Sequence, residues 1–582
     1  MNIKSSFCRC AGRYETTLIL HRFFKYTVYN SLVSILLLFA TVFYTTIWLL
    51  SQHKLIYTDE IVFAADFMRI ALGQWLFVEI PHPPLYTILG SLSTQLFGYN
   101  LPAMRLVGVA GYLLTLWLIP PVCYCLTDDP AQAKRASLIA VVAWAIHPLA
   151  LQGSLLLDID NTIFPPVLLL FVLVLSTTES SSMWRRVIYV GAIFAVMLWV
   201  KLLPSTLLLA GTVLITYVAR RQHVLSTLGA LVLGALVFAA SLAAFSLATE
   251  FPLEVILGTF ARTQNVAQRP ERLLARLVMG GGITAVWVGI PLLAAFGVVA
   301  ANRFMYILRG YQPRLLDALI LYAIAGFGIF TVGNELPMGF PRYHYPLVLI
   351  VVIIVCIMLA KTSWFQRLNG LAVALSVLCC VIYFAAVAPD PLLPHYALTF
   401  ETNDLITRLT FGLRNQITTL IIPLAISFMV CWIVIKKWIT VLPLIAFCVA
   451  VWLVTSATQT QAAYSTIYEY GRIGGREMAE LVRQRTQPAD KIIAPKEILW
   501  AAQREGDFVV QLLACTECTA QSMTAHFDAS KPAAYVLTTK EDGRYTHITR
   551  NPQFTALLER CFSRPVNIGS YIAYFRTQST CG

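Results

Sequence analysis

The chain consists largely of apolar runs that are long enough to cross a lipid bilayer. Thirteen can be placed, at about 29–50, 103–126, 136–155, 161–177, 187–199, 202–219, 224–248, 281–301, 316–333, 344–360, 369–388, 417–435 and 438–456. A spanning helix needs roughly 20 apolar residues. The composition agrees, since only 13% of the residues are charged, against about 25% in a soluble domain. The sequence therefore predicts a polytopic α-helical membrane protein.

Basic residues are concentrated in every second loop between these runs. They are Lys134 and Arg135, Arg185 and Arg186, Arg220 and Arg221, Arg303, Arg309 and Arg314, Lys361 and Arg367, and Lys436 and Lys437. Loops rich in Lys and Arg stay in the cytoplasm, so an odd number of spans places the C-terminus outside. This pattern accounts for the net charge of +13. Because the basic residues do not cluster on one face or tail, we expect no nucleic-acid partner.

Three regions follow from this pattern. Residues 1–28 form a cytoplasmic N-terminal segment, and residues 29–456 form the transmembrane domain, which begins with an uncleaved helix. Its first outer loop, 51–102, is rich in apolar and aromatic residues, which suits helices that lie in the membrane interface. Residues 457–582 are more polar and alternate helical with strand-like segments. They predict a small extracytoplasmic α/β domain, with helices at about 472–485 and 552–561 and strands at about 491–494, 533–539 and 571–576.

Four cysteines fall in this polar C-terminal region, namely Cys515, Cys518, Cys561 and Cys581. Disulfides form in oxidising compartments outside the cytoplasm, so we expect at least one among these four, with Cys515–Cys518 and Cys561–Cys581 as the simplest pairing. The Cys-x-x-Cys spacing alone could also indicate a zinc or redox site. No second motif of that kind accompanies it, so no metal site is predicted.

Two acidic motifs lie on the predicted outer side. Asp59 and Glu60 follow the first apolar run, and Asp158 and Asp160 lie between the third and fourth. A carboxylate near an apolar surface can accept a proton from an attacking hydroxyl, and charges at a membrane edge are usually functional or paired. The alternatives are a capped helix start at Asp59 and polar markers of a tight turn at Asp158 and Asp160.

Several cationic residues share that predicted side. His82 lies in a His-Pro-Pro-Leu motif, Lys201 lies between the fifth and sixth runs, and Arg342 and Tyr343 precede the tenth. Each could bind a phosphate. The alternatives are a rigid turn at His82, a snorkelling lysine at Lys201 and a structural ion pair at Arg342. A further outer cluster suits a pyrophosphate or an amphipathic interfacial helix, and consists of Arg262, Arg269, Arg272 and Arg276.

The order of these motifs resembles the GT-C superfamily of glycosyltransferases. In particular it is similar to the bacterial branch related to aminoarabinose transferases of lipid A, and to protein O-mannosyltransferases that use dolichyl- or polyprenyl-phosphate-mannose. The matching positions are Asp59, His82 to Leu85, Phe97-Gly98 through Arg105, Asp160 (less well Asp158), Lys201, and Arg342-Tyr343. Where some family members have a lysine before the two prolines, this chain has His82.

The resemblance implies a polyprenyl-phosphate-sugar donor and an inverting transfer on the outer face of the plasma (inner) membrane. Asp59 would be the general base, with Glu60, Asp160 and Asp158 as the other acids of the site. The cationic residues above would bind the donor phosphate, and a divalent cation such as Mg²⁺ or Mn²⁺ could share this work. The acceptor would be a lipid, a glycan or a protein.

Two other functions are compatible with a chain of this kind. A transporter or lipid flippase would carry ionisable residues near the bilayer midplane, often in repeated halves. A scaffold would present the C-terminal domain to partners. Here the ionisable residues lie at the ends of the runs, no repeat is evident, and a scaffold leaves the outer acids unexplained. Membrane lipids are the expected surroundings in every case.

Overall fold

The structure of the protein is a computed structural model that describes most of the transmembrane domain and the central part of the C-terminal domain. The described stretches are residues 31–52, 58–78, 82–202, 205–256, 288–333, 342–361, 474–503, 506–508, 529–538 and 552–577, with a few isolated residues between them. The spans predicted at 369–388, 417–435 and 438–456 lie outside these stretches.

Each of the first ten predicted spans contains a helix. The helices of the transmembrane domain are α1 (Ser31–Leu50), α2 (Thr58–Ala71), α3 (Leu85–Phe97), α4 (Leu101–Leu126), α5 (Pro130–Ala145), α6 (Pro148–Ser154), α7 (Phe164–Thr177), α8 (Met183–Val200), α9 (Ser205–Arg220), α10 (Val224–Thr249), α11 (Ile290–Leu308), α12 (Leu315–Gly333) and α13 (Tyr345–Lys361). By length and composition, five of the described helices can cross a membrane, or six if one bent pair counts as a span.

The bent pair is the predicted third span, which differs from the single helix expected at 136–155. It consists of α5 and α6, which meet at 59°. Pro148 begins α6, and the residue before a proline is driven out of the helical conformation. His147 takes up the break, since its backbone is extended and its Nδ1 accepts a hydrogen bond from the backbone N–H of Leu149 at 3.1 Å. The break turns the chain back into the protein before it reaches Asp158.

The alternating helices bring the basic loops to one end of the bundle, which we call the basic end. There Arg314 forms an ion pair with Asp128, and the Gln132 side chain donates to the carbonyl oxygen of Ile357 at 2.8 Å. The other end, which we call the site end, contains the start of α2, the turn after α6 and the end of α8. The positive-inside rule predicts that the site end faces outward, and this orientation stays a prediction.

The first outer loop is helical, as the sequence predicts. Its helices α2 and α3 pack against each other through aromatic rings, since Tyr86 lies edge-on to Phe63 and Phe67 with centroid distances of 5.1 and 5.5 Å. Leu72, directly after α2, and Leu96 of α3 are more than half exposed. Such a two-sided distribution is typical of helices at a membrane interface.

The C-terminal domain is built on a five-stranded mixed sheet. Its elements are α14 (Gly475–Arg485), β1 (Ile492–Ala494), α15 (Lys496–Ala502), β2 (Gly506–Phe508), β3 (Ala534–Thr538), α16 (Pro552–Cys561), β4 (Val566–Ile568) and β5 (Tyr571–Phe575). The strand order is β2-β1-β3-β5-β4, with β1 parallel to β2 and β3, and β5 antiparallel to β3 and β4. The sequence predicted an α/β domain with helices and strands at α14, α16, β1, β3 and β5, but not α15, β2 or β4.

A disulfide and a docking contact fix this domain. Cys561 is disulfide-bonded, but Cys515, Cys518 and Cys581 lie outside the described residues, so the pairing stays a prediction. Helix α15 packs against α2. Its Trp500 lies on Tyr99, with ring centroids 5.7 Å apart. The domain therefore rests on the helices of the first outer loop.

Candidate active site

The first acidic motif lies in the first turn of α2. The backbone of Asp59 belongs to this turn, and its side chain lies outside the described residues. Glu60 is 3% exposed. Its carboxylate accepts hydrogen bonds from Nη2 of Arg105 at 3.3 and 3.5 Å and from the backbone N–H of Leu157 at 2.9 Å. Glu60 therefore ties the start of α2 both to α4 and to the turn that carries the second acidic motif.

The second acidic motif follows α6 in a buried turn that packs directly on α4. A Cβ atom at Gly108 would collide with the carbonyl oxygen of Ser154, and one at Gly111 with the carbonyl oxygen of Thr162. The two glycines lie on one face of α4, three residues apart. They let the turn approach the helix backbone more closely than a side chain would permit.

The two acids of this turn have different partners. Asp158 accepts a hydrogen bond from the backbone N–H of Asp160 at 2.9 Å, which closes the turn. Asp160 forms a buried ion pair with Lys201, and the side chains are 3% and 1% exposed. Lys201 also lies over the ring of Tyr343, with its Nζ 4.6 Å from the centroid. The sequence had assigned Lys201 to the donor phosphate, but here its charge is compensated by Asp160.

Helix α3 reaches the same turn through Tyr86, which the sequence analysis did not single out. The phenol is fully buried, and burial, together with the nearby carboxylates of Asp158 and Glu60, raises its pKa well above the usual value. The group therefore stays neutral and can donate a hydrogen bond at any physiological pH. Tyr86 comes directly after the His-Pro-Pro-Leu motif, so the two prolines position it at the start of α3.

The structure describes the remaining predicted phosphate-binding residues only in part. His82 is half-buried just before α3. Arg342 begins the 3-10 turn Arg342–His344 at the site end, and only its backbone is described. The cluster of Arg262, Arg269, Arg272 and Arg276 lies outside the described residues. The structure thus brings together Glu60, Asp158, Asp160, Lys201 and Tyr343, and it places the backbones of Asp59 and Arg342 at the same end.

Two further residues of the site had no signal in the sequence. Tyr322 of α12 and Ser205 at the start of α9 are fully buried, and the Tyr322 hydroxyl lies beside Ser205 and within electrostatic reach of Asp160. Both belong to apolar runs in which a single hydroxyl is unremarkable. As for metal ions, no group of three His, Cys, Asp or Glu side chains within the described part of the chain could hold one.

Comparison with known proteins yields a family and several solved structures. Residues 81–246 match the family described as dolichyl-phosphate-mannose-protein mannosyltransferase. The fold is similar to that of ArnT from Cupriavidus metallidurans bound to undecaprenyl phosphate (TM-score 0.54) and in the apo state (TM-score 0.53). Each match is 15% identical and covers 94% of this chain and 98% of that chain. No curated protein matches the sequence.

These findings confirm the resemblance to the GT-C superfamily and the predicted class of fold. The family match covers the segment that contains the His-Pro-Pro-Leu motif, both acids of the second motif and Lys201. The structural match extends over nearly the whole chain.

Proposed function

We propose that the protein is an inverting glycosyltransferase that moves a sugar from a polyprenyl-phosphate carrier to an acceptor on the outer face of the plasma membrane. Asp59 is the general base. The observation that carries the proposal is the joining of two acidic motifs at the site end, where Glu60 binds the turn that holds Asp158 and Asp160. The donor class is further supported by the likeness to ArnT, whose structure contains undecaprenyl phosphate.

The reaction needs one proton transfer and one displacement. The acceptor hydroxyl loses its proton to Asp59 while its oxygen attacks the anomeric carbon. The bond between that carbon and the phosphate oxygen breaks, and the electron pair leaves with the polyprenyl phosphate. Because phosphate is already a good leaving group, charge stabilisation matters more than protonation.

The charge on the departing phosphate calls for cations that are not already compensated. Lys201 is paired with Asp160, so its role is to hold that acid rather than to meet the phosphate alone. Arg342 and the cluster of Arg262, Arg269 and Arg272 take the phosphate in this proposal, with His82 as a further hydrogen-bond donor. An arginine can bind two phosphate oxygens at once, which suits a leaving group whose charge grows during the reaction.

The test is transfer of a radiolabelled sugar from undecaprenyl-phosphate donors by the full-length protein in lipid nanodiscs. Asp59→Asn keeps the size of the side chain and removes the base, so the rate should fall about 10²–10⁴-fold. Asp128→Asn is the matched control, since its side chain is 81% exposed at the basic end, and it should leave the rate unchanged.

Two outcomes would contradict the proposal. Near-normal transfer by Asp59→Asn would move the base to Asp160. If no donor supports transfer and the protein instead moves lipid between leaflets, the flippase would be favoured.

The bend between α5 and α6 resembles the broken helices of transporters. Here, however, the bend leads to acids at the end of the bundle, whereas transporters carry such residues near the bilayer midplane.

A further inference from the structure

Buried polar atoms without hydrogen-bond partners occur on the Asp160–Lys201 ion pair, on the residue after Asp160 and on two hydroxyls near Asp160. They are Oδ1 of Asp160, the hydroxyl oxygens of Ser205 and Tyr322, and both polar atoms of the Asn161 amide, none of which has a partner in the structure. Each of these four side chains is at most 3% exposed. A buried polar atom that lacks a partner destabilises the folded protein unless a ligand satisfies it. A set of four at one place is therefore a candidate binding site, which we call the polar group.

The members come from separate parts of the chain and meet at the site end. Asp160 and Asn161 lie in the turn after α6, Ser205 begins α9 and Tyr322 belongs to α12. Tyr322 and Ser205 are neighbours, and Asp160 lies within electrostatic reach of Tyr322, yet the two hydroxyls form no hydrogen bond of ordinary geometry. Three elements thus direct unsatisfied polar atoms towards the acid that Lys201 holds.

The net charge of the polar group indicates the chemistry of its ligand. Asp160 and Lys201 compensate each other, and Asn161, Ser205 and Tyr322 are uncharged. A phosphate would find no excess positive charge here. A neutral ligand with several hydroxyls would find one carboxylate acceptor, one amide with donors and an acceptor, and two hydroxyls that can do either. Few precisely placed polar groups of this kind fix the orientation of a bound small molecule.

We propose that the polar group binds the hydroxyls of the donor's sugar ring, and that Tyr322 and Asn161 determine which sugar is accepted. This inference rests on the proposed function and adds to it the subsite that selects the sugar. The phosphate stays with the arginines, outside the neutral polar group. Because every member is buried, a sugar held there is shielded from water, which protects the reactive anomeric carbon against hydrolysis.

The ion pair also orients the carboxylate of Asp160 within the polar group. Lys201 holds the Oδ2 atom of Asp160, so that the Oδ1 atom remains as the acceptor. A carboxylate fixed in this way keeps its orientation when the sugar enters. A site built to hydrogen-bond a substrate hydroxyl discriminates strongly against an analogue that does not present it, so epimers that differ at one hydroxyl are suitable probes.

The experiment compares donors that carry mannose, glucose or galactose on undecaprenyl phosphate, with full-length protein in nanodiscs. Tyr322→Phe removes one hydroxyl and keeps the ring. We expect kcat/KM for the preferred sugar to fall about 10-fold, and the preference over the next epimer to fall by a similar factor. The inhibition constant of undecaprenyl phosphate that carries no sugar should stay at its wild-type value. Asn161→Ala should change the preference in the same way.

Tyr112→Phe is the matched control, since this tyrosine is equally buried in α4 and its hydroxyl donates to the backbone of α5. It should keep the wild-type preference. An unchanged preference in Tyr322→Phe and Asn161→Ala, with active wild-type protein, would overturn this inference alone. Weaker inhibition by undecaprenyl phosphate in both variants would overturn it too, because the polar group would then serve the lipid phosphate. Wild-type protein that transfers no sugar from any undecaprenyl-phosphate donor, aminoarabinose included, would contradict the proposed function itself.

Discussion

Ion pairs at the two ends of the helical bundle differ in burial and in what they connect. At the site end, Arg105–Glu60 and Lys201–Asp160 join elements that are more than 40 residues apart, and none of the four side chains is more than 4% exposed. A buried charge is tolerated only when it is paired and hydrogen-bonded. These pairs therefore hold their elements in one fixed arrangement.

At the basic end two of the pairs are open to the surroundings, whereas a third, Arg303–Asp317, has a carboxylate that is only 7% exposed. The side chains of Arg220–Glu179 and Arg314–Asp128 are between 18% and 81% exposed. Exposed pairs contribute little to stability. The comparison teaches that burial, rather than the end of the bundle at which a pair lies, decides how firmly the pair holds its elements.

The largest effect should follow from breaking a pair at the site end. Lys201→Met leaves Asp160 as an uncompensated buried charge, which should destabilise the protein by roughly 3–5 kcal/mol. The melting temperature in nanodiscs, read by intrinsic tryptophan fluorescence, measures this loss. The double variant Lys201→Met with Asp160→Asn removes both charges and should recover most of the stability. A single variant as stable as the wild type would show that the pair does not hold the site.

A smaller effect is expected at Glu60, since its role is to position α2. Glu60→Gln keeps one acceptor for the Leu157 N–H but leaves Arg105 without its counter-charge. Misplacement of Asp59 by a fraction of an ångström should lower kcat about 10- to 100-fold with little change in KM. The acid limb of the pH–rate profile should keep its apparent pKa. Loss of that limb in Glu60→Gln would identify Glu60 itself as the base.

The smallest effect should come from the basic end. Arg314→Gln breaks the exposed pair with Asp128 and should cost less than about 1 kcal/mol, with an unchanged rate of sugar transfer. The same melting and transfer assays measure both quantities. A loss as large as that of Lys201→Met would remove the distinction between the two ends.

The helices and their alternation followed from the sequence because lipid imposes a simple length and a simple charge rule. The break at His147-Pro148 was also readable, since a residue before proline leaves the helix, but the run 136–155 was interpreted as one span. The bounds at 281–301 shifted to Ile290–Leu308, because an apolar run does not show where its helix begins.

The site was predictable as a set of residues but not as a set of partners. Asp160 precedes α7 and Lys201 follows α8. Because α7 and α8 form a helical hairpin, the topology alone placed both residues at the site end. Their direct pairing depends on side-chain directions that no spacing reveals. Tyr322 could not be found at all, because the residues on either side of it in α12 are apolar and give no sign of which face meets the site. The pair Gly108 and Gly111 was a readable sign of close packing.

The contact between α15 and α2 ties together the earliest and the latest parts of the chain to be synthesised. Helix α2, which carries Asp59, emerges soon after the first span, whereas Trp500 of α15, which packs against the transmembrane core, is made more than 400 residues later. The turn of Asp160 follows α2 early in synthesis, but the helix lacks the contact with α15 until Trp500 is made. Assembly of the site end therefore finishes only after the C-terminal domain has folded against α2, so a chain that stalls before Trp500 is made inserts its helices without this contact.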